Sequence, residues 1–507
     1  MLSHSVAPWR ALPPRPRSRP AALASSFGSG AAAAAGHPAH FVGQLLLGPA
    51  RRAEAIVVGA AAPAGPFSVG LGGLLSALRA AALPSAPGLS ALVLSPSAAL
   101  PAGGRLRATA RLLSALAGPA LFGAVTSPLS AQVLRLTPSA SPPRPGAPRS
   151  RPAPAPRWLI ESPAPPLLSR RAVSEPLRTG VVALDSLAPA GRGQRELVLG
   201  DRQTGKTSIC LDAALGQESE GVGCVFASVA LRAPALLGTS FSVPARAAAA
   251  AFVAASSRAR APLQYLAPYA AAAAAEYLMW AGQVPALLAL DDLTKHAAAY
   301  REVSLLLRRP PGREAYPGEI FFVHSRLLER SAKLSLASGG GSVTCFPVVE
   351  ALAGDVSGYV ATNAISITDG QAALSPELFL SGARPAVDAG LSVSRAGSAA
   401  QWAGLRGAAA SYKIEVARCA DLQSFAQLSA DLGPSTQRAL RRGALLGALL
   451  KQPCGAPAGL ARELLVLSLS CGPSPERASG AGGAPAARAV PRWLLLSAGP
   501  RPVAAAP

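Results

Sequence analysis

The sequence predicts an α/β fold built on a mostly parallel sheet, and two observations carry this prediction. From residue 191 to about residue 401, short apolar runs alternate with segments of helical spacing, an order typical of a parallel sheet covered by helices. The apolar runs are continuous rather than alternating, which indicates strands buried on both faces. We expect shorter strands before this region and helices after it.

The elements follow from length and apolar spacing. Two helices are predicted, at 293–309 and 436–452. Candidate short strands lie near the N-terminus, at 55–59 (AIVVG) and 91–95 (ALVLS). In the central region the predicted strands are 196–200 (ELVLG), 224–229 (CVFASV), 284–290 (VPALLAL), 319–325 (EIFFVHS), 342–349 (SVTCFPVV) and 364–368 (AISIT).

Composition shifts divide the chain. Residues 1–40 carry Arg, Ser and Ala but no acid, since the first acidic residue is Glu54; this is the composition of an organelle transit peptide, with plain disorder as the alternative. Residues 137–156 form a Pro/Arg-rich spacer, for which we expect an extended, unfolded chain. From about residue 472 the sequence is rich in Gly, Pro and Ala, and disorder is expected there.

Several functional classes are disfavoured by composition. The net charge of +22 invites a nucleic-acid role, but the Arg residues are scattered or sit beside Pro, and only 5% of residues are aromatic, so we expect no nucleic-acid partner. The six Cys form no CxxC pair, and their spacing fits neither a zinc site nor a disulfide framework. The Ala-rich run 269–280 contains Glu276 and follows Pro268, which disfavours a membrane-spanning helix.

The run GDRQTGKTS at 200–208 has the chemistry of a phosphate-binding loop. It fits the pattern G-x-x-x-x-G-K-[ST], with an apolar strand before it and a helical run after it. The glycines let backbone amides curl around phosphates, the Lys reaches the β and γ phosphates, and the Thr hydroxyl ligates Mg²⁺. The predicted nucleotide-binding residues here are Gly200, Asp201, Arg202, Gln203, Thr204, Gly205, Lys206, Thr207 and Ser208.

A second motif, PALLALDD, supplies acidic side chains at the end of an apolar strand. Mg²⁺ needs a carboxylate at the carboxyl end of a strand neighbouring the phosphate loop. We therefore assign Asp291, together with Thr207, to the metal, and we expect Asp292 to cap the following helix. These motifs predict a bound nucleotide with Mg²⁺, and the resemblance described next implies that the nucleotide is ATP or ADP.

These motifs and their surroundings resemble the alpha subunit of the F-type ATP synthase. The resemblance is specific over residues 158–402 and weaker over 104–123 (GRLRATARLLSALAGPALFG). It is carried by 174–215 around the phosphate loop, by 261–269 (APLQYLAPY), by 291–334 (DDLTKHAAAYREVSLLLRRPPGREAYPGEIFFVHSRLLERSAKL), and by 339–401, which includes GLSVSRAGSAAQ.

The resemblance implies three domains after a transit peptide at 1–40. They are a diverged small β-barrel at 41–117, a RecA-like nucleotide domain at 118–401 with the Pro-rich insert, and a shortened helical domain with a disordered tail at 402–507. It also implies a ring in which alpha and beta subunits alternate around a central stalk, as a peripheral membrane complex. In this family alpha sites bind Mg-ATP without turning it over, while beta sites carry out the chemistry.

Two positions bear on catalysis by resemblance. Catalytic subunits have a Glu after the strand that follows the phosphate-loop helix, and alpha subunits have Gln at that position. Here the position is occupied by Leu231. Its side chain offers neither a proton acceptor nor a hydrogen bond, which argues against turnover at this site. Arg395 resembles the arginine finger that reaches into the adjacent beta site, where a guanidinium stabilises charge on the transferring phosphoryl group. Ser392, in the same segment, is expected to shape it.

A base pocket is also implied by the resemblance, with Phe379, Arg384, Pro385 and Gln452 as its residues. The family has a second Gln where this chain has Cys454. We therefore expect phosphate binding to survive better than adenine selectivity.

Three interpretations follow. The first is a working alpha subunit of an organellar ATP synthase, and the second is a degenerate paralogue that binds nucleotide or a partner without assembling. The third is a secretion ATPase or a transcription-terminating helicase, which is disfavoured because those relatives need a catalytic Glu. We favour the first because Lys206, Asp291 and Arg395 all persist. We expect the mitochondrial inner membrane, on the matrix side, because a transit peptide implies import and plastid alpha subunits are usually made inside the plastid.

Overall fold

The fold was analysed in a computed structural model of the chain. The structure describes residues 44–47, 54–60, 89–93, 107–129, 133–135, 156–217, 220–231, 250–351, 354–401, 403–426, 433–460, 462–463 and 466. The predicted transit peptide at 1–40, most of the Pro-rich spacer and the tail after 472 lie outside these residues.

Four strands near the N-terminus form an antiparallel sheet in the order β3-β2-β1-β4. The second and third strands coincide with the two candidate strands predicted from the sequence, although β3 ends two residues early. Closure of this region into a barrel stays a prediction. The strands are β1 (Gln44–Leu47), β2 (Glu54–Ala60), β3 (Leu89–Val93) and β4 (Arg107–Leu112).

Two pairs of short strands lead toward the main sheet. Strands β5 (Ser114–Leu116) and β8 (Arg157–Leu159) pair with each other, as do β9 (Pro176–Leu177) and β10 (Ala190–Gly191). The β5–β8 pair joins the segment around residue 158 to residues that precede the Pro-rich spacer.

Within the part of the chain that the structure describes, the main sheet has nine strands in the order β17-β16-β11-β15-β14-β12-β13-β6-β7. Seven of them are parallel, and the two edge strands, β17 and β7, are antiparallel to their neighbours. The mostly parallel sheet predicted from the sequence is confirmed. Its strands are β6 (Ala124–Thr126), β7 (Val133–Arg135), β11 (Glu196–Gly200), β12 (Gly223–Leu231), β13 (Ala250–Ser256), β14 (Pro285–Asp291), β15 (Ser342–Glu350), β16 (Gly370–Leu374) and β17 (Val393–Ser394).

Helices alternate with these strands along the chain. They are α1 (Val182–Leu187), α2 (Lys206–Gly216), α3 (Ala261–Trp280), α4 (Leu293–Leu306), α5 (Ile320–Leu328), α6 (Tyr359–Ile367), α7 (Pro376–Leu380) and α8 (Gly397–Ala400). The alternation gives a sheet covered by helices, as expected for a P-loop domain of the RecA-like class.

Two predicted strands are wrong, because 319–325 and 364–368 are helical. Over α5 the buried residues are Ile320, Val323, His324, Leu327 and Leu328, a spacing of three and four that marks a helix face. The stretch 364–368 is the end of α6. The actual strand, β16, follows directly with the sequence GQAAL, whose small residues give little strand signal.

The Ala-rich helix α3 lies in the middle of the core. Residues from Ala261 to Met279 are nearly all buried against β12, β13 and β14, because Ala side chains allow a helix to approach a sheet closely. Pro268 lies inside this helix. Among the helices that the structure describes, none combines the length and the apolar character that a membrane crossing needs.

The chain divides into two compact units. The first comprises Met1–Trp402 with Leu450–Ala458, and the second comprises Ala403–Leu449 with Gly459–Pro507. The second unit contains α9 (Ala403–Ala426) and, except for its last residue, α10 (Pro434–Leu450). Helix α10 covers most of the helix predicted at 436–452. Arg442 pairs with both carboxylate oxygens of Glu415 at 2.9 Å and joins the two helices.

Candidate functional site

The phosphate loop connects the buried strand β11 to helix α2, as the sequence predicts. Gly205 begins the helix with a φ of 93°, and Gln203 has a φ of 64°; a side chain at Gly205 would be strained in this left-handed region. Gly200 is tightly enclosed, since a Cβ there would lie 2.8 Å from Leu374 Cβ and 2.9 Å from Thr204 Oγ1. Both glycines of the motif are therefore required by the backbone path.

Lys206 lies inside the loop, at the first position of α2. Its Nζ donates to the carbonyl oxygens of Gly200 at 2.9 Å and Asp201 at 2.6 Å. Burial lowers the pKa of this ammonium group, and the carboxylate of Glu350 opposes that shift. A buried cation beside a helix N-terminus is an arrangement that attracts phosphate oxygens.

The two consecutive acidic residues at the carboxyl end of β14 make different contacts. Asp292 caps α4, as predicted: its Oδ1 accepts the backbone N–H of Lys295 at 2.6 Å, and its Oδ2 lies 2.8 Å from Lys295 Nζ. Asp291 faces the phosphate loop, and its Oδ2 accepts the hydroxyl of Thr207 at 2.8 Å. Thr207 and Asp291, far apart in sequence, are thus brought together.

These two oxygen ligands fit a magnesium ion. Burial, and then the negative charge of Asp292, raises the pKa of Asp291, so a cation at this point would compensate for the cost of the buried carboxylate. Among the described residues no cluster of three or more His, Cys, Asp or Glu could hold a metal by itself. Mg²⁺ usually binds through one or two protein oxygens together with substrate phosphates and water, which Thr207 and Asp291 would match.

The rest of the loop is held by its neighbours. Asp201 Oδ2 accepts the backbone N–H of Gly354 at 3.1 Å, and the Thr204 hydroxyl donates to Asp201 O at 2.7 Å. Arg202 Nε pairs with Glu350 Oε2 at 3.1 Å. Glu350 was missed by the sequence reasoning, although it follows a buried strand in the same way as Asp291.

The four predicted base-pocket residues lie close together. Phe379 borders the loop, since a Cβ added at Gly205 would lie 4.0 Å from its ring. The guanidinium carbon of Arg384 is 4.7 Å from the centre of that ring, and Pro385 follows directly. Gln452 reaches the same place through its backbone N–H, which donates to Arg384 O at 2.8 Å.

The side chain of Gln452, however, binds protein backbone. Its Nε2 donates to Gly180 O at 2.8 Å and to Ala456 O at 2.6 Å, and its Oε1 accepts the N–H of Val182 at 3.2 Å. Only 8% of the residue is exposed. Gln452 therefore fixes the segment 450–458 against the nucleotide-binding unit.

The backbone of Leu231 ends β12 at the carboxyl edge of the sheet. Three residues earlier, Ser228 pairs with Asp291 of β14, so Leu231 lies at the same edge as the phosphate loop. This is the edge at which ligands of open parallel sheets bind.

Arg395 lies near the amino-terminal ends of the parallel strands, at the opposite side of the sheet from the phosphate loop. Its backbone N–H donates to Asp369 O at 3.0 Å, just before β16, and its side chain is exposed. Strand β16 runs parallel to β11, with Gly370 beside Glu196 and Leu374 beside Gly200. The amino-terminal and carboxyl-terminal ends of these strands are therefore about 13 Å apart along the strand direction. Arg395 and the phosphate loop of the same chain are therefore not brought together.

Ser392 is fully buried behind this arginine. Its Oγ accepts the backbone N–H of Ala373 at 3.0 Å, and the nearby Ser394 hydroxyl donates to Pro189 O at 2.6 Å. Ser392 thus fixes the path of the segment that carries Arg395.

Comparison with known protein families gives two matches. Residues 180–394 match the nucleotide-binding domain of the ATP synthase alpha/beta family, and residues 401–471 match the C-terminal domain of the ATP synthase alpha/beta chain. The two matches together cover more than half of the 507 residues. They include the phosphate loop, Asp291 and the base-side residues described above. The chain is therefore a member of the ATP synthase alpha/beta family.

Proposed function

We propose that this chain is an alpha-type, non-catalytic subunit of a proton-transporting ATP synthase. It binds Mg-ATP at its own phosphate loop and donates Arg395 to the catalytic site of an adjacent beta subunit. The observation that carries the proposal is the position of Arg395, which is exposed and about 13 Å of strand away from the edge that bears the phosphate loop of the same chain. A guanidinium placed there serves a neighbour better than its own site.

The end of β12 supports the non-catalytic assignment. The residue at the position of the water-polarising Glu is Leu231, which cannot accept a proton. Gly205, Lys206 and Thr207 nevertheless keep the geometry of a binding loop. A site that retains phosphate-binding groups without a general base is suited to hold a nucleotide rather than to hydrolyse it.

We further propose that the chain is imported into mitochondria through residues 1–40 and works at the matrix side of the inner membrane. Its partners there are beta subunits and the central stalk. The support is compositional, since residues 1–40 carry Arg and no acidic residue. Fusing residues 1–40 to a fluorescent protein tests the proposed mitochondrial localisation, and a reporter that stays in the cytosol would contradict it.

Assembly with beta subunits is the first test of function. Native electrophoresis with mass spectrometry should find this chain in a complex with beta subunits. Purified alone, the chain should bind Mg-ATP and release no phosphate, whereas the Lys206→Ala variant should not bind. Steady turnover by the isolated chain would overturn the non-catalytic assignment. If the chain binds nucleotide but does not co-migrate with beta subunits in native electrophoresis, the degenerate paralogue would be favoured instead.

The arginine finger is tested within the complex. Arg395→Ala should lower ATP hydrolysis by on the order of 10³-fold, because charge on the transferring phosphoryl group is no longer stabilised. Nucleotide binding by this chain should not change. Arg258, which is also exposed, provides the matched control, and Arg258→Ala should retain activity. Full activity of the Arg395→Ala complex would contradict the role.

A further inference from the structure

The backbone N–H of Arg395 is bound by Asp369, the residue that precedes β16. Strand β17 consists of Val393 and Ser394, which pair with Gln371 and Gly370 of β16, and Arg395 follows directly. Its N–H donates to Asp369 O at 3.0 Å, while its side chain is exposed. The path of the chain at Arg395 therefore depends on the direction in which this carbonyl group points.

Asp369 is itself fixed by four hydrogen bonds with Arg195, the residue that precedes β11. The Arg195 guanidinium donates to both carboxylate oxygens, at 2.7 and 2.9 Å, and the Arg195 backbone N–H donates to Oδ2 at 3.1 Å. In return, the Asp369 N–H donates to Arg195 O at 2.9 Å. A bidentate pair between a guanidinium and a carboxylate fixes orientation as well as distance.

A second contact from the same place holds Ser394, the residue before Arg395. The Ser394 hydroxyl accepts an N–H of Gln194 Nε2 at 3.0 Å and donates to Pro189 O at 2.6 Å. Gln194 is the neighbour of Arg195 in the sequence. Residues 194–195 therefore hold both the residue that precedes Arg395 and the carbonyl group to which its N–H is bound.

We infer that Arg195 and Asp369 are positioning residues for Arg395, because their ion pair fixes the backbone from which the exposed guanidinium extends. The inference rests on the proposed role of Arg395 at the catalytic site of an adjacent subunit. A group that stabilises charge in a transition state acts best when it is placed before the reaction begins. A misplacement of about 1 Å can cost about 100-fold in rate. Fixing the backbone of Arg395 reduces the positions that its guanidinium can adopt.

Steady-state ATP hydrolysis by the complex with beta subunits tests the inference. Asp369→Asn keeps the size of the side chain but loses the bidentate acceptor, and it should lower kcat by about 10- to 100-fold. KM should stay within about twofold, because the finger acts on the transition state rather than on bound substrate. The affinity of this chain's own phosphate loop for Mg-ATP should not change.

The decisive measurement combines Asp369→Asn with Arg395→Ala. If Asp369 acts through Arg395, its substitution removes nothing further once the guanidinium is absent. The double variant should then match Arg395→Ala in kcat within about twofold. A merely structural role of Asp369 would lower kcat by the same factor with and without Arg395. Thermal stability is measured in parallel, since loss of the ion pair should lower it in both backgrounds.

Two further variants complete the experiment. Arg195→Lys keeps the charge but loses the planar fork, so it should also lower kcat only where Arg395 is present, and it replaces Asp369→Asn if that variant does not assemble. Glu220→Gln is the matched control. Glu220 pairs with Arg178 at 2.8 Å, with side chains 28% and 17% exposed, against 32% and 20% for Asp369 and Arg195. Glu220→Gln should therefore lower stability to a similar extent and leave kcat unchanged.

The outcomes separate this inference from the proposed function. Full kcat in Asp369→Asn, equal losses with and without Arg395, or an equal loss in Glu220→Gln would overturn the positioning role and leave the role of Arg395 standing. Full activity of the Arg395→Ala complex would overturn the proposed role of Arg395 and the inference with it. A loss confined to the chain that retains Arg395 would support both.

Discussion

At the scale of single residues, the pair Thr207–Asp291 links the phosphate loop to the strand two places away in the sheet. The hydroxyl and the carboxylate are 2.8 Å apart, and burial raises the pKa of the carboxyl group. This arrangement would suit a divalent cation as the partner of the carboxylate. The neighbouring Asp292, by contrast, is already paired with Lys295.

Asp291→Asn should therefore reduce the effect of Mg²⁺ on nucleotide binding. The gain in ATP affinity that Mg²⁺ provides should fall by about tenfold or more, while affinity measured in EDTA should not change. Isothermal titration with and without Mg²⁺ makes the comparison. Asp292→Asn is the matched control: its side chain can still cap α4, so it should lower thermal stability only through loss of the ion pair with Lys295, with the Mg²⁺ effect retained. An unchanged Mg²⁺ effect in Asp291→Asn would contradict the metal assignment.

The buried ion pair between Glu276 and Arg330 is a second residue-scale feature. Both side chains are no more than 3% exposed, and two N–H groups of the guanidinium donate to the carboxylate at 2.7 Å. Arg330 also donates to Ile160 O at 2.7 Å, and Trp158 Nε1 donates to Glu276 Oε2 at 3.2 Å. The pair therefore attaches the segment around β8 to helix α3.

Arg330→Met should destabilise the nucleotide-binding unit by about 3–5 kcal/mol, because it leaves Glu276 as an unpaired buried charge. The double variant Glu276→Gln with Arg330→Met removes both charges and keeps an acceptor for Trp158. It should lose clearly less stability than the single variant. Urea unfolding followed by tryptophan fluorescence measures both. Equal losses in the two variants would show that the charge imbalance is not the cause.

At the scale of elements, the sequence was informative where strands end in polar residues. β11 and β14 lead directly into Lys206 and Asp291, so local sequence alone placed these groups at one edge of the sheet. Glu350 at the end of β15 carried the same signal, but no known motif drew attention to it. The contacts of Gln452 with Gly180 could not be foreseen, because they join residues 272 positions apart.

The error over α5 has a physical cause. Six of the seven residues in EIFFVHS are apolar or compatible with burial, so a short window does not reveal whether the period is two or 3.6. The complete helix does, since Leu327 and Leu328 extend the buried face while Phe321 and Phe322 are 44% and 60% exposed. Tertiary burial, rather than local propensity, decides the element.

Two truncations distinguish the helix from the predicted strand. Leu327→Ala removes a side chain that is 1% exposed and should cost about 2–5 kcal/mol in the free energy of unfolding. Phe322→Ala should cost less than about 1 kcal/mol, because the ring is mostly in solvent and contacts the Arg326 guanidinium at 5.7 Å. A strand would place Phe322 on the same face as Ile320 and His324. A larger loss for Phe322→Ala than for Leu327→Ala would favour that interpretation.

At the scale of the whole molecule, a buried pair of histidines couples folding to pH. His296 Nε2 is 3.1 Å from Tyr265 O, and since a carbonyl oxygen only accepts, this nitrogen carries the hydrogen. His296 Nδ1 is then an acceptor, and His324 Nε2 donates to it at 3.3 Å. His324 Nδ1 has no hydrogen-bond partner among the described residues. A proton on His296 Nδ1 would remove the acceptor of this hydrogen bond, and a proton on His324 Nδ1 would create a buried charge on an atom that has no partner among the described residues.

The groups around the pair are aromatic or distant charges. The rings of Tyr265 and Tyr269 lie against the ring of His296, and Tyr300 lies against Tyr265. The guanidinium of Arg326 lies 5.6 Å from the centre of the Tyr269 ring. Arg326 pairs with Glu161 at 3.4 Å. Burial raises the pKa of Glu161 to about 7 and lowers the pKa of His324 to about 4. The two groups therefore titrate in overlapping ranges with opposite effects on stability.

The sign of each effect follows from proton binding. An unfolded His binds a proton below about pH 6.5, and the buried His324 does so only near pH 4. The contribution of His324 to stability is therefore complete above pH 6.5 and is lost as the pH falls to 4. Glu161 holds its proton up to about pH 7 when folded. Its contribution is complete below about pH 4.5 and is lost as the pH rises to 7.

His324→Gln should flatten the dependence of stability on pH between 6.5 and 4, because a Gln amide can donate to His296 Nδ1 and does not titrate. The unmodified chain should lose about 3 kcal/mol across this window through His324, partly offset by Glu161. Placing both chains in a Glu161→Gln background removes that offset from both curves, so the unmodified curve shows the full slope from the histidines while the difference between the two curves stays equal to the contribution of His324. Urea unfolding at half-unit pH steps, followed by tryptophan fluorescence, measures the four curves. Parallel curves with and without His324 in the Glu161→Gln background would mean that the buried pair does not bind its proton on unfolding.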